Sequence, residues 1–410
     1  MINRIIISFC LFIIEFPTLF SYTIDNTLID SVSIDSLIYT VKDLSGEQIV
    51  KIDGRDTLIS KRKYNTAGNQ LAEKYLYAKG RELGYKTNYQ TCSATCKNIM
   101  WEMDGTLYQD SIVIIGAHFD SECFEDGNGQ TKYLSPGAND NASGCAAIIE
   151  IARLIRNYKP QYNLKFIFWD EEEFGTVGSG YYANLAKKNS EKIKLYINLD
   201  MLGWDMDNDG LVRIKYVKVA QSLNFAEEAI NICLLHNISL IPEIKTIKGS
   251  YIGFSGDADY FWHNGFSAIG LADMLDDMSL YHSEHDLVKY FNQQYFLNNT
   301  KLALALVMNY AYDYKPNSVN DIVIISDNIS IFPNPTSDFI NITINGINSR
   351  NCKLEIFDML GNRVSVLYEG SLLSVNPTIN FDCRSLSPCI YFVRFSGGGQ
   401  SLTKTFGVIR

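Results

Sequence analysis

Beyond its N-terminus the chain of 410 residues offers no run of about 20 continuous apolar residues, so nothing there is long enough to read as a membrane-spanning helix. Positive charge is in deficit. With 36 Lys and Arg against 46 Asp and Glu the net charge is -10, which argues against nucleic acid or an anionic membrane as a partner. Neither a CxxC pair nor a Cys/His zinc pattern occurs among the nine cysteines, so no thiolate-bound metal is expected. Long-period repeats and low-complexity tracts are also missing, which excludes solenoids and compositionally biased linkers.

What is present is ordinary for a globular protein: 46% hydrophobic and 20% charged residues, in a chain long enough for two or three units. The opening MINRIIISFCLFIIEFPTLFS has a basic start at Arg4, an apolar stretch and small or polar residues near Ser21, so residues 1–21 read as a secretory signal peptide. No stable membrane span is expected after processing. Cys10 would leave with the signal, and the other eight cysteines are scattered rather than arranged as a disulfide framework. Cys92 with Cys96, and Cys352 with Cys383 or Cys389, are open pairings.

Apolar residues at helical spacing over 67–85, 141–158, 225–236 and 287–312 predict amphipathic helices. Between them NIMWEM (98–103), SIVIIGAHFD (111–120), LKFIFWD (164–170) and KLYINLDM (194–201) predict strands whose continuously apolar middles require cover on both faces. This alternation implies an α/β fold, a mostly parallel sheet sandwiched by helices. From about Ile322 the chain changes to short strands separated by turn residues, which predicts a small all-β domain.

Polar clusters stand where the apolar strands end, the position at which open α/β sheets gather ligands. GAHFDS carries His118 and Asp120, which strand alternation points to one side, so that the carboxylate can hold the imidazole in one tautomer. SPGANDNASG places Asp140 just before a helix. FIFWDEEEFGTVGS sets Asp170, Glu171, Glu172 and Glu173 in a row, and YINLDMLG ends on Asp200. LYHSEHD adds His282, His285 and Asp286 much later. Two carboxylates about 4 Å apart repel by about 4 kcal/mol at an effective dielectric of 20, so several converging at one sheet edge require cations. His, Asp and Glu without thiolates suit zinc in a hydrolytic site, with two ions bridged by a hydroxide as nucleophile.

Taken in this order, over residues 60–313, the motifs closely resemble metallopeptidase family 28, co-catalytic zinc exopeptidases that include bacterial leucine aminopeptidases. The resemblance implies the zinc exopeptidase fold, a mixed sheet between helices, and two zinc ions per chain. It makes His118 and Asp200 ligands of one zinc, Glu173 and His282 ligands of the other, and Asp140 the bridge. Asp120 would orient His118, Glu172 would be the general base, and Glu171 would face water. His285, His236 and His263 would stand outside the centre, and the segment GFSGDADYFW, with Asp257 followed by Ala258 where relatives carry Ser-Asp-His, would line the substrate pocket. Four carboxylates, those of Asp140, Glu172, Glu173 and Asp200, balance the charge of two such ions.

WDMDNDG matches the opening of an EF-hand-like calcium loop at Asp205, Asp207 and Asp209, but the twelfth position is Tyr216 where a glutamate belongs, so a structural Ca2+ competes with an aspartate-rich turn. The C-terminal stretches FPNPTSDFINI, LEIFDMLGNRV and LSPCIYFVRF resemble the sorting domains of type IX secretion cargo. The expected organisation is a signal peptide (1–21), a zinc peptidase domain (22–318), a linker (319–326) and a sorting domain (327–410). The expectation is a secreted or cell-surface metallopeptidase, exported by way of the periplasm and outer membrane with the secretion machinery as partner, acting on peptide or protein N-termini. Two alternatives share the scaffold: a single-zinc glutaminyl cyclase, and a catalytically silent surface binding protein.

Overall fold

A computed structural model of the protein describes residues 26–123, 134–247, 256–272, 278–312, 329–344, 349–359, 362–372, 378–397 and 400–410. The expected signal peptide, 1–21, and the expected linker, 319–326, lie outside the described residues.

The chain opens with α1 (Asn26–Asp30), α2 (Ile34–Ser45) and a small hairpin, β1 (Val50–Ile52) with β2 (Arg55–Thr57). Gly46 ends α2 at φ 72, and a Cβ there would lie 2.8 Å from the Ile59 carbonyl oxygen, so only glycine lets the chain turn so closely. Helix α3 (Ala67–Glu82) starts where the Thr66 side chain accepts a hydrogen bond from the Asn69 N–H.

The central sheet then forms from β3 (Lys86–Thr91), β4 (Lys97–Met103), β5 (Tyr108–His118), β6 (Tyr162–Trp169), β7 (Lys192–Leu199), β8 (Leu211–Tyr216), β9 (Ile241–Thr246) and β10 (Ala268–Ala272). Its spatial order is β3-β4-β6-β5-β7-β10-β8-β9. The four middle strands β6, β5, β7 and β10 run parallel, while β4 and β8 join them antiparallel. The connecting helices are α4 (Ser143–Ile155), α5 (Val177–Lys188), α6 (Ser222–Leu235), α7 (Asp259–His263) and α8 (Gln293–Ala311).

Strand alternation divides the core in two. Val113, Ile115, Ala117 and Phe119 share one apolar cluster with α4 and α8, while Ile112, Ile114, Ile167, Trp169 and Tyr196 share another with α5 and α7. Both faces are therefore buried, which is why the strand middles read as unbroken apolar runs. Each fully buried Leu, Ile or Phe contributes about 1.5–3 kcal/mol.

The C-terminal region is all-β, as its turn-rich sequence predicts. Strands β11 (Ile329–Phe332), β12 (Phe339–Ile344) and β15 (Thr378–Asp382) form one antiparallel sheet. Strands β13 (Ser349–Phe357), β14 (Arg363–Leu372), β16 (Cys389–Gly397) and β17 (Gln400–Val408) form a second. Alternate residues of the two sheets, such as Ile340 and Ile342 with Leu354, Ile356, Val393 and Phe395, share one buried core, as in a sandwich.

Candidate metal centre

Parallel packing brings the C-terminal ends of β5, β6 and β7 to one edge, so His118, the acidic run after Trp169, and Asp200 arrive as neighbours. Asp140 enters from the turn Ala138–Ala142 that precedes α4, and His282 from the loop after β10. His118 Nε2 lies 3.1 Å from Asp140 Oδ1 and 3.6 Å from Asp200 Oδ1. His282 Nε2 lies 3.2 Å from Asp140 Oδ2 and 2.8 Å from Glu173 Oε2. The two oxygens of Asp140 thus face two different imidazoles. His118, Asp140 and Asp200 form one possible ligand group, and Asp140, Glu173 and His282 form another that shares the aspartate.

The tautomer of His118 follows from its surroundings. Its Nδ1 sits 3.2 Å from the backbone carbonyl of Asp120, which can only accept, so Nδ1 carries a hydrogen and Nε2 is the nitrogen turned toward the carboxylates. The Asp120 carboxylate approaches the same nitrogen at 3.4 Å, but its hydrogen bonds come from elsewhere. Its two oxygens accept the backbone N–H groups of Glu172 and Glu173, at 3.0 and 3.1 Å. Asp120 therefore anchors the acidic turn while its main chain orients His118.

The acidic run separates by position. Asp170 is buried and accepts hydrogen bonds from Asn69 Nδ2, the Lys97 N–H and the Glu171 N–H. Glu171, expected to face water, is instead only 3% exposed. The reason is the turn: Glu171 takes a left-handed φ of 57, and the Gly178 and Val177 N–H groups close back onto the Asp170 and Glu171 carbonyls, folding that side chain inward. Glu172 and Glu173 are left half-buried toward the centre. Phe174, 58% exposed, stacks on Tyr64 with ring centroids 4.3 Å apart beside them.

Charge is crowded at this sheet edge, and five of its groups feel it. Burial works against a charged His118, yet Glu172 and the close carboxylates of Asp120, Asp140 and Asp200 outweigh it and raise its pKa well above the usual histidine range. His282, also opposed by burial, is raised to about 10 by Asp140 and Glu173. Asp140 goes the other way, since its two histidine partners outweigh its burial and hold it below the carboxylate range. Burial raises Glu172 well above its ordinary value, and burial with the Asp140 charge raises Glu173 to about 8.

The donor set fits hard or borderline cations of the zinc type. Asp200 Oδ1 and Glu173 Oε1 are buried without a hydrogen-bond donor among the described residues, which is costly unless a cation supplies the partner. Cys145 is close, but its thiol donates to the His118 carbonyl and burial pushes it up to about 12, so it is no thiolate ligand.

Three further residues support the centre, and for each the sequence left open what it would touch. Asp286, fully buried, accepts the N–H groups of Asn139 and Asp140 at 2.8 and 2.9 Å and so fixes the turn that presents Asp140. Tyr281 stacks on the His282 ring at 3.7 Å. Asp257, placed by the sequence at the rim of a pocket, is 1% exposed, and burial raises it to about 7 beside His118 and Asp200.

The other histidines stay outside. His285 is exposed, His236 caps α6 and His263 ends α7. Asp205, Asp207 and Asp209 gather within ligand distance, but their carboxylates accept hydrogen bonds from Gly210, Asn292, Asp209 and Leu211 in the manner of an aspartate-rich turn. Tyr216, at the position where a calcium loop needs its glutamate, is buried in β8.

A mixed sheet that delivers histidines and carboxylates to the ends of its parallel strands defines the zinc exopeptidase class of fold. Within that class the chain belongs to Peptidase family M28, whose pattern matches residues 98–307. Residues 330–409 match the secretion system C-terminal sorting domain. The chain is similar to Aminopeptidase Y of Saccharomyces cerevisiae, 28% identical over 228 residues that span 50% of this chain but only 37% of that protein. Among solved structures it is similar to the LapA aminopeptidase of Legionella pneumophila, with a TM-score of 0.57, 19% identity and coverage of 71% and 75% of the two chains. A glutaminyl cyclase of Bacteroides thetaiotaomicron is similar at a TM-score of 0.53 and 19% identity, over 68% of this chain and 98% of that one.

Proposed function

We propose that the chain is a secreted zinc aminopeptidase that hydrolyses the N-terminal peptide bond of peptides or proteins. The observation that carries this reading is the bridging posture of Asp140, one oxygen toward His118 and the other toward His282. It creates two overlapping ligand groups, which suits two ions better than the single zinc of a cyclase. His118 and Asp200 would hold one zinc, Glu173 and His282 the other, and Asp140 both. Bound zinc supplies water activation at neutral pH and polarisation of the scissile carbonyl.

The chain's own residues do the rest. Glu172 is held at the rim of the centre by the bond from its N–H to Asp120, so it can take the proton of the attacking water and pass it to the leaving amine. Its raised pKa suits a group that must both accept and return a proton. Burial and the surrounding carboxylates keep the Tyr281 phenol protonated beside the His282 ring on which it stacks. The name of the yeast relative supports exopeptidase activity, and the sorting domain supports release to the cell surface or beyond by way of the periplasm and outer membrane.

Metal analysis with assays on aminoacyl and N-terminal glutaminyl substrates tests the reading. About two zincs per chain are expected, and Glu172→Gln should lower kcat by about 10²–10⁴-fold while zinc is retained. One zinc with cyclisation of glutaminyl peptides would overturn it in favour of the cyclase. Two zincs without turnover would favour the binding protein.

A further inference from the structure

Arg62 lies N-terminal to the family-matched residues and far in sequence from every group of the centre. It is 0% exposed. Its guanidinium meets four backbone carbonyls: Nε donates to Phe119 at 2.6 Å, Nη1 to Leu44 and Pro136, and Nη2 to Gly137 at 2.8 Å. Phe119 separates His118 from Asp120, and Gly137 opens the turn that presents Asp140. One rigid fork therefore spans the two loops that carry the first ion's histidine and the shared aspartate.

Two independent features show how closely the loops are fitted to this fork. Gly137 has φ 51, and a Cβ there would stand 2.9 Å from Arg62 Nη2 and 2.2 Å from the Asp140 carbonyl oxygen. On the other side Asn69 Nδ2 donates both to the Arg62 carbonyl and to Asp170 Oδ1, which ties the acidic turn to the same residue.

We infer that Arg62 is a positioning residue: its fork sets the spacing between His118 and Asp140, and thereby the affinity of the centre for its first zinc ion. This rests on the zinc reading above. It also makes a prediction against simple electrostatics, because a cation buried near Asp120, Asp140 and Asp286 repels incoming metal. If its charge were all that mattered, Arg62→Met would tighten zinc binding and Arg62→Lys would change nothing. A positioning role requires both to weaken it, since lysine keeps the charge but not the planar fork.

The experiment is a zinc titration of the full chain against a competing chelator dye, with metal-free melting temperature and kcat and KM recorded alongside. Both Arg62 variants are expected to raise the dissociation constant of the first ion by about 10–100-fold, as loss of a group supporting a ligand does. The second ion should be affected less, and kcat should fall more than KM rises. Tyr85→Phe, which removes a buried bond to the Ala152 carbonyl away from the centre, lowers stability without changing zinc affinity and separates general destabilisation from positioning. Should an Arg62 variant fail to fold, Gly137→Ala is expected to weaken zinc with the arginine intact. Unchanged or tighter zinc binding in the folded variants overturns the role of Arg62 while leaving the zinc reading standing. A wild-type chain that takes up no zinc overturns both.

Discussion

Glu173, proposed as a metal ligand, is the side chain whose titration bears most directly on that role. Burial and the Asp140 charge push it up to about 8, so in the metal-free chain it keeps a proton at neutral pH. His282, its direct partner, is also raised and also protonated. A raised pKa favours the fold fully below the unfolded value, about 4.3 for Glu, and that contribution is lost as pH rises through about 8. A zinc ion held as proposed would have to displace these protons, so its binding is expected to strengthen over the same interval. The gap in melting temperature between zinc-loaded and chelator-treated protein is therefore expected to widen from about pH 6 to about pH 8. A gap that narrows over that range would contradict the ligand assignment of Glu173.

Among the elements, the β3–β4 hairpin carries a consequence for an exported chain. Cys92 N–H donates to the Cys96 carbonyl at 3.0 Å, so the two cysteines face each other across the turn. Such cross-strand neighbours have Cα atoms about 4.5–5.5 Å apart, inside the range a disulfide spans. No disulfide joins the described cysteines. In an oxidising exterior these two are expected to join, closing a short loop worth about 2 kcal/mol. Mass spectrometry after alkylation without reductant should find both protected; modification of both would exclude the bond. Cys96 Sγ lies 3.7 Å from the Asp170 carbonyl, so the bridge would brace the hairpin against the start of the acidic turn.

For the whole molecule the decisive fact is that the apolar core of the C-terminal sandwich is drawn only from residues 331–408, and the clusters of the peptidase region only from residues 28–312. Each region thus has its own core, the property that lets a domain fold alone. A chain ending at residue 318 is expected to retain zinc content and kcat/KM, while losing export from a host with the secretion machinery. Loss of zinc or of soluble expression on truncation would show that the sandwich supports the peptidase fold. Among the described residues no helix is long and apolar enough to cross a membrane.

The sequence by itself determined the kinds of donor atoms and the strand ends on which they stand. Continuously apolar runs at Ile112–Ile115, Phe166–Trp169 and Leu195–Ile197 read as strands covered on both faces, and the polar residues that follow them emerge at the sheet edge. Periodicity also located α3, α4, α6 and α8, but α8 starts at Gln293 instead of Leu287, behind a short 3-10 turn at Val288–Tyr290, and it did not reveal α2, α5 or the edge strands, whose signals are short. Tertiary structure alone decided what those donors meet. Glu171 turns inward because a backbone turn closes behind it, and Asp120 serves Glu172 and Glu173 because parallel strands β5 and β6 end side by side. Arg62 reaches carbonyls 57 and 75 residues away. Local patterns report which face of an element is apolar, but hydrogen bonds to distant backbone depend on how whole elements are packed, and no spacing in the chain encodes that meeting.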